Sequence, residues 1–352
     1  MESHKISTVP AELLPGARNA VRACLAIGRG DRVAILTDHD TERIALALQQ
    51  ASEEAGAAAE IMMLESFGQR PFTSIPPGFS EALHGFGPTA AFYAAQGQKG
   101  EISFRIPLRH LLIEDLGVRF GHMISIDERL MVEGMMADYT AVSQLVHRVT
   151  DLVVPAREIR VTNPKGTDLR VAFSPELRWK PCSGIYHHQG EWGNLPEGET
   201  FTCPANVEGV LVVDVLGDYF SSKYGVLEHP VTIAISKGRI TNVTCENGAL
   251  QQELDSYVHS GENSDRVGEF AIGANLWVRS LTGNLLQDEK IPGVHVAFGN
   301  PYPEDTGAQW DARTHVDMIP TDCTIWVDGE LLMRDGRFEP RVVQGIVEGL
   351  PA

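Results

Sequence analysis

The segment Thr314-His315-Val316-Asp317-Met318 sets an imidazole and a carboxylate two residues apart. In a strand, residues i and i+2 point to the same side, so His315 and Asp317 can be offered together to a metal ion. Gly293-Val294-His295-Val296-Ala297-Phe298-Gly299 places a second histidine inside an apolar run of strand character. Glu199 leads from the turn Pro196-Glu197-Gly198 into Thr200-Phe201-Thr202, and Glu269 stands at the head of Phe270-Ala271-Ile272. Each of these also fits a structural role when taken alone. A strand histidine is commonly a satisfied core residue, and a turn glutamate is commonly solvated. Together they supply two glutamates, one aspartate and two histidines. Such a set suits two divalent ions: carboxylates offset the charge, imidazoles favour zinc, cobalt or manganese over calcium, and paired ions activate water for hydrolysis.

Two kinds of element must position these residues. The first part of the chain alternates strand and helix. Arg32-Val33-Ala34-Ile35-Leu36-Thr37 is a strand-sized apolar run, Thr41 to Gly56 carries apolar residues at a helical period, and Ala59 to Leu64 reads as the next strand. This βαβ pattern predicts an open, mostly parallel α/β domain, which we extend over residues 1–154 with a helical stretch from Asp127 to Val154. The turn after the first strand carries no GxGxxG. From Glu158 onward the runs are short and β-rich, punctuated by Lys237-Gly238, Asn247-Gly248, Asp328-Gly329 and Asp335-Gly336, all hairpin dipeptides. Residues 155–352 are therefore expected to form an α+β, β-rich domain that holds the metal-binding residues, with a helix at Leu250–His259.

Composition limits the partners. Forty-seven acidic residues against 29 basic ones give a formal charge of −18, a surface that repels phosphate backbones and anionic lipid, so neither nucleic acid nor membrane is expected as a partner. The five cysteines are widely spaced without any CxxC, which argues against a disulfide framework. The N-terminal residues lack an apolar h-region, so a cytoplasmic location is expected.

The ordered series of segments resembles the aminopeptidase T family of dinuclear metallopeptidases. The resemblance runs from about His122 to Phe338. It includes His122-Met123-Ile124-Ser125-Ile126, Glu133-Gly134-Met135-Met136-Ala137-Asp138-Tyr139, Arg160 to Leu169, the block from Asn194 to Pro204, Gly268-Glu269, His295, Tyr302, His315-Val316-Asp317 and Asp328-Gly329. It implies that Glu199, Glu269, His295, His315 and Asp317 hold two divalent ions (zinc, cobalt, manganese or magnesium). It also implies that Tyr302, seven residues after His295, stands beside them. The activity implied is release of N-terminal residues from short peptides or small amides. Tyr302 would donate to the developing oxyanion, with Glu199 counted among the catalytic residues and a cluster carboxylate as general base. A homodimer is implied as well. Glu197 is assigned to the solvated side of its turn.

The chain is also similar to the 2,5-dihydroxypyridine dioxygenases, which use a single Fe(II). They keep the His-x-Asp pair but have a histidine at the position of Glu269 and no counterparts of Glu199 and His295. A mononuclear ring-cleaving dioxygenase, with His295, His315 and Asp317 around one iron, is the alternative reading.

Overall fold

The computed structural model describes residues 9–346. In chain order its first strands are β1 (Arg32–Thr37), β2 (Ala58–Met63), β3 (Ala90–Ala94), β4 (Arg119–His122), β5 (Glu158–Thr162), β6 (Asp168–Ala172), β7 (Lys180–Cys182) and β8 (Trp192–Asn194). There follow β9 (Glu199–Thr202), β10 (Asn206–Leu216), β11 (Val226–Ser236), β12 (Arg239–Thr244) and β13 (Val267–Gly273). The last are β14 (Gly293–Gly299), β15 (His315–Ile319), β16 (Thr324–Val327), β17 (Glu330–Arg334) and β18 (Arg337–Phe338). The chain divides into two compact units, residues 1–140 with 184–197, and residues 141–183 with 198–352.

The first unit is the expected α/β layer. Among the described residues its sheet has the order β2-β1-β3-β4-β8, with every pairing parallel. Val33 to Leu36 in β1 are buried on both sides, which is why that strand reads as an unbroken apolar run instead of an alternation. The helix Glu42–Glu54 buries Ile44, Ala45, Ala47, Leu48 and Ala51, the one-sided stripe its sequence spacing predicts. It gives way at Gly56, whose φ of +90° suits glycine at a helix end.

The stretch from Asp127 to Val154 is not one helix. It breaks into Glu128–Val132, a 3-10 turn Gly134–Met136, and Tyr139–Val153. Asp127 caps the first piece by accepting from the Leu130 amide, and Asp138 accepts from the Thr140 amide at the start of the last. A side chain that competes for backbone donors starts a new helix and interrupts the old one.

His122 closes β4. Its ring stacks on Tyr93 at 5.7 Å and its Nδ1 pairs with Asn194 Oδ1 at 3.0 Å. Burial, with Arg105 adding to it, pulls its pKa down to about 4, so it is a neutral packing residue of this unit. His187 and His188 are exposed.

The second unit is built on one large antiparallel sheet. Among the described residues its path is β18-β17-β16-β5-β6-β10-β15-β14-β13-β9-β7, with β11 and β12 branching from β10. Three of the four hairpin dipeptides sit where expected: Lys237-Gly238, Asp328-Gly329 and Asp335-Gly336 each have two positive φ angles and join neighbouring strands. Asn247-Gly248 does not. Asn247 has φ −80° and its side chain accepts from the Leu250 amide, so it caps the helix Gly248–Val258. No helix among the described residues is long and apolar enough to cross a membrane.

Candidate metal centre

Four adjacent strands, β9, β13, β14 and β15, carry the five residues picked out as metal ligands. The register aligns them. Across the sheet, Asp317 lies opposite Ala297 and Ala297 opposite Glu269, while His295 lies opposite Ala271 and Glu199 opposite Gly273. Residues directly opposite in an antiparallel pair point to the same face. The alternation therefore gathers Glu199, Glu269, His295, His315 and Asp317 on one side of the sheet. Between them stand Ala271, Gly273 and Ala297, small residues that leave the space above the strands to the polar groups. Gly268 marks a bulge just before Glu269; a Cβ there would lie 2.2 Å from the Gly299 carbonyl oxygen, so only glycine fits.

The polar atoms converge. His295 Nε2 is 3.3 Å from Glu269 Oε1, 3.6 Å from Glu199 Oε2 and 3.9 Å from Asp317 Oδ1. His315 Nε2 is 3.5 Å from Glu269 Oε2 and 3.4 Å from Asp317 Oδ1. Glu199, Glu269, Asp317 and His295 are all buried. Of three groupings able to hold a cation among the described residues, two contain Glu269: Glu199 with Glu269 and His295, and Glu269 with His315 and Asp317. Glu269 belongs to both.

The donor chemistry fits metal ions. Several carboxylates buried together require cations, because each is costly to bury alone. His315 Nδ1 donates to the Asn300 carbonyl at 2.9 Å, which leaves Nε2 facing the carboxylates. Glu199 Oε2, buried and without a hydrogen-bond partner among the described residues, faces the same space.

The surrounding carboxylates favour charge on the imidazoles. Burial disfavours it, but the Glu269 hydrogen bond and the charges of Glu199, Glu269 and Asp317 raise His295 to about 10. His315, opposed by burial in the same way, is raised to about 9, chiefly by Asp317. Asp317 is held down at about 2, where His315 and His295 outweigh the burial that pushes it up. A ligand histidine must lose its proton to bind metal. Metal uptake at neutral pH is therefore expected to release protons, and apparent affinity to tighten as pH rises toward about 9 and 10. Calorimetric titration in buffers of different ionisation enthalpy measures that release; a pH-independent affinity with no proton exchange would contradict it.

Tyr302 stands beside the cluster. Its ring centroid is 4.8 Å from that of His315 and 5.7 Å from that of Phe201. Its backbone is left-handed, with φ +49°, and its amide donates to Asn300 Oδ1 at 2.8 Å. Asn300 thus positions both His315 and Tyr302. Although 41% of the tyrosine's surface is exposed, desolvation and then the charges of Glu269 and Asp317 push its hydroxyl well above the ordinary phenol value. It stays protonated, a donor.

The structure adds two residues that sequence reasoning missed. Lys290 is 0% exposed, and its Nζ lies 2.7 Å from Glu199 Oε1 and 2.7 Å from Glu289 Oε1. Glu289 also groups with His295 and Asp317; burial raises its carboxyl, with Lys290 opposing. The signal was a charged triplet, Asp288-Glu289-Lys290, six residues before His295 at its middle member.

Glu197 is a correction. It is not a solvated turn residue: it is 2% exposed and accepts from the Tyr186 hydroxyl at 3.3 Å, while its own amide donates to Tyr139 Oη. Glu197→Gln brings amide donors into that buried setting and is expected to cost roughly 1–3 kcal/mol of stability. Thermal melts would show a lower Tm with metal content unchanged; an unshifted melt would refute it. Cys203 is buried.

Comparison with known proteins places these observations. The family profile of the thermophilic metalloproteases (M29) matches residues 123–338. No curated protein sequence matches the chain. Among solved structures, wild-type AmpT from Thermus thermophilus aligns with a TM-score of 0.68 at 17% identity, covering 93% of this chain and 98% of that one. The 2,5-dihydroxypyridine dioxygenase from Pseudomonas putida KT2440 aligns with the same TM-score at 16% identity, covering 94% and 98%. At such identities the two structures share the fold.

Proposed function

The chain belongs to the thermophilic metalloprotease family M29, a metalloaminopeptidase-like hydrolase, and from that premise we propose that it is an aminopeptidase that releases N-terminal residues from short peptides with two divalent ions. The observation that carries this reading is the sharing of Glu269 between two three-residue groups, one completed by Glu199 and His295 and the other by His315 and Asp317. Glu269 would bridge. Zinc, cobalt, manganese and magnesium all suit the nitrogen and oxygen donors.

When bound, the cations supply positive charge that lowers the pKa of water and polarises the scissile carbonyl. The rest falls to side chains. A carboxylate of the cluster takes the proton that water gives up. Tyr302, protonated, donates to the oxygen on which negative charge grows. Asn300 holds Tyr302 and His315 in place through its side chain and its carbonyl. Glu199 completes the first group as a ligand.

Elemental analysis of protein purified without chelator, joined to a panel of aminoacyl amides and dipeptides, tests the reading. Two ions per chain and chelator-sensitive release of N-terminal residues are expected. A single iron with oxygen uptake on a dihydroxypyridine would replace it with the dioxygenase reading, which has the equally similar fold behind it. The reading also includes a homodimer, testable by sedimentation, and a cytoplasmic location, which suits the five free cysteines.

A further inference from the structure

Lys290 is held against the centre by its backbone. Gly273, opposite Glu199 in the ladder, has no room for a side chain: a Cβ would lie 2.0 Å from the Ile291 carbonyl oxygen and 2.9 Å from the Lys290 carbonyl carbon. The Lys290 carbonyl accepts from the Asn275 amide at 3.0 Å. Just before it, the buried Asp288 accepts from the Thr282 amide, the Thr282 hydroxyl and the Gly283 amide at 2.7–2.8 Å. The turn is thus fixed on both sides of an ammonium that sees no solvent. A lysine is almost never buried in this way unless paired, and here Glu289 and one oxygen of Glu199 each lie 2.7 Å from Nζ. The other oxygen of Glu199 has no hydrogen-bond partner among the described residues and faces His295.

We propose that Lys290 is a positioning residue that occupies Oε1 of Glu199 and so commits this glutamate to one-oxygen ligation through Oε2, with Glu289 holding the lysine in place. The inference rests on the metal-centre reading above. A carboxylate can bind a cation through one oxygen or two. An ammonium is a compact point charge that competes for one of them without altering the shape of the ligand. A glutamate so divided takes one coordination position and leaves more for substrate, the condition that separates a catalytic from a closed site.

Cobalt is the probe. Wild type, Lys290→Met and the charge-balanced Lys290→Met/Glu289→Gln are loaded with Co²⁺, and stoichiometry and visible absorption are recorded. The double variant removes the ion pair as a unit, so it tests the idea even if the single variant does not fold. We expect both ions to be retained, the absorption to weaken as Glu199 gains a second bond and coordination number rises, and kcat to fall by about 10–100-fold, the usual scale for outer-shell partners, with KM changing less. In a Glu199→Gln background, adding Lys290→Met should change neither spectrum nor rate further, because the lysine acts through that carboxylate. A folded variant with the wild-type spectrum, or full additivity in that cycle, overturns the assignment. A wild-type stoichiometry of one overturns instead the two-ion reading, and the response of the remaining ion's spectrum still decides the role of Lys290.

Discussion

Glu269→Gln is expected to strip at least one ion from the centre and to lower turnover by at least about 10²-fold, a loss at the upper end of what removing an outer-shell partner costs. Glutamine keeps the shape and one carbonyl oxygen. It removes the charge and one carboxylate oxygen, and Glu269 belongs to two of the groups able to hold a cation. Its two oxygens point apart, Oε1 toward His295 at 3.3 Å and Oε2 toward His315 at 3.5 Å. An amide nitrogen in place of either oxygen would present donors to an imidazole that must itself lose a proton. Folding should survive, because the substitution relieves a cluster of buried negative charge. Elemental analysis and kinetics on the purified variant check this. Metal content and kcat equal to wild type would end the two-ion assignment.

Tyr302→Phe is expected to leave metal content and KM nearly unchanged and to lower kcat by roughly 10²–10³-fold, the measured scale for loss of one oxyanion donor. The contacts with His315 and Phe201 are made by the aromatic ring and are kept. Only the hydroxyl goes. A phenol keeps its proton at neutral pH, so the hydroxyl is a donor. Steady-state kinetics with metal quantified in the same preparation separates this role from a wall of the site. A kcat within about twofold of wild type, far below the donor scale, would reduce Tyr302 to packing.

Much of the centre could be read in the sequence because strand alternation is a period-two signal. His315 and Asp317 needed only to be in one strand to share a face, and β15 puts them there. Glu199, Glu269 and His295 were conspicuous as polar residues in or beside apolar runs. The type I′ turns were legible because Lys-Gly and Asp-Gly tolerate two positive φ angles; Asn247 was misjudged because asparagine serves a helix cap equally well. Burial was what could not be read. Asp288-Glu289-Lys290 looks like a solvated turn, and only the packing of that turn over the bare backbone of Gly273 takes the lysine out of water. Glu197 was lost for the same reason. The return of Trp192–Asn194 to the first sheet was equally silent, since three residues are too few to show a period.

That return has a kinetic side. β8 extends the sheet beyond β4, yet residues 141–183, which belong to the other unit, are synthesised between the two strands. At ribosomal speeds of about 5–20 residues per second, the first sheet waits some seconds with β4 as an open edge. Glu199 emerges immediately after the segment that closes it. A chain cut at residue 140 or 154 would therefore be an unfinished layer prone to edge-to-edge association, and rearranging the gene to join residues 184–197 directly to residue 140 is the way to obtain that layer alone.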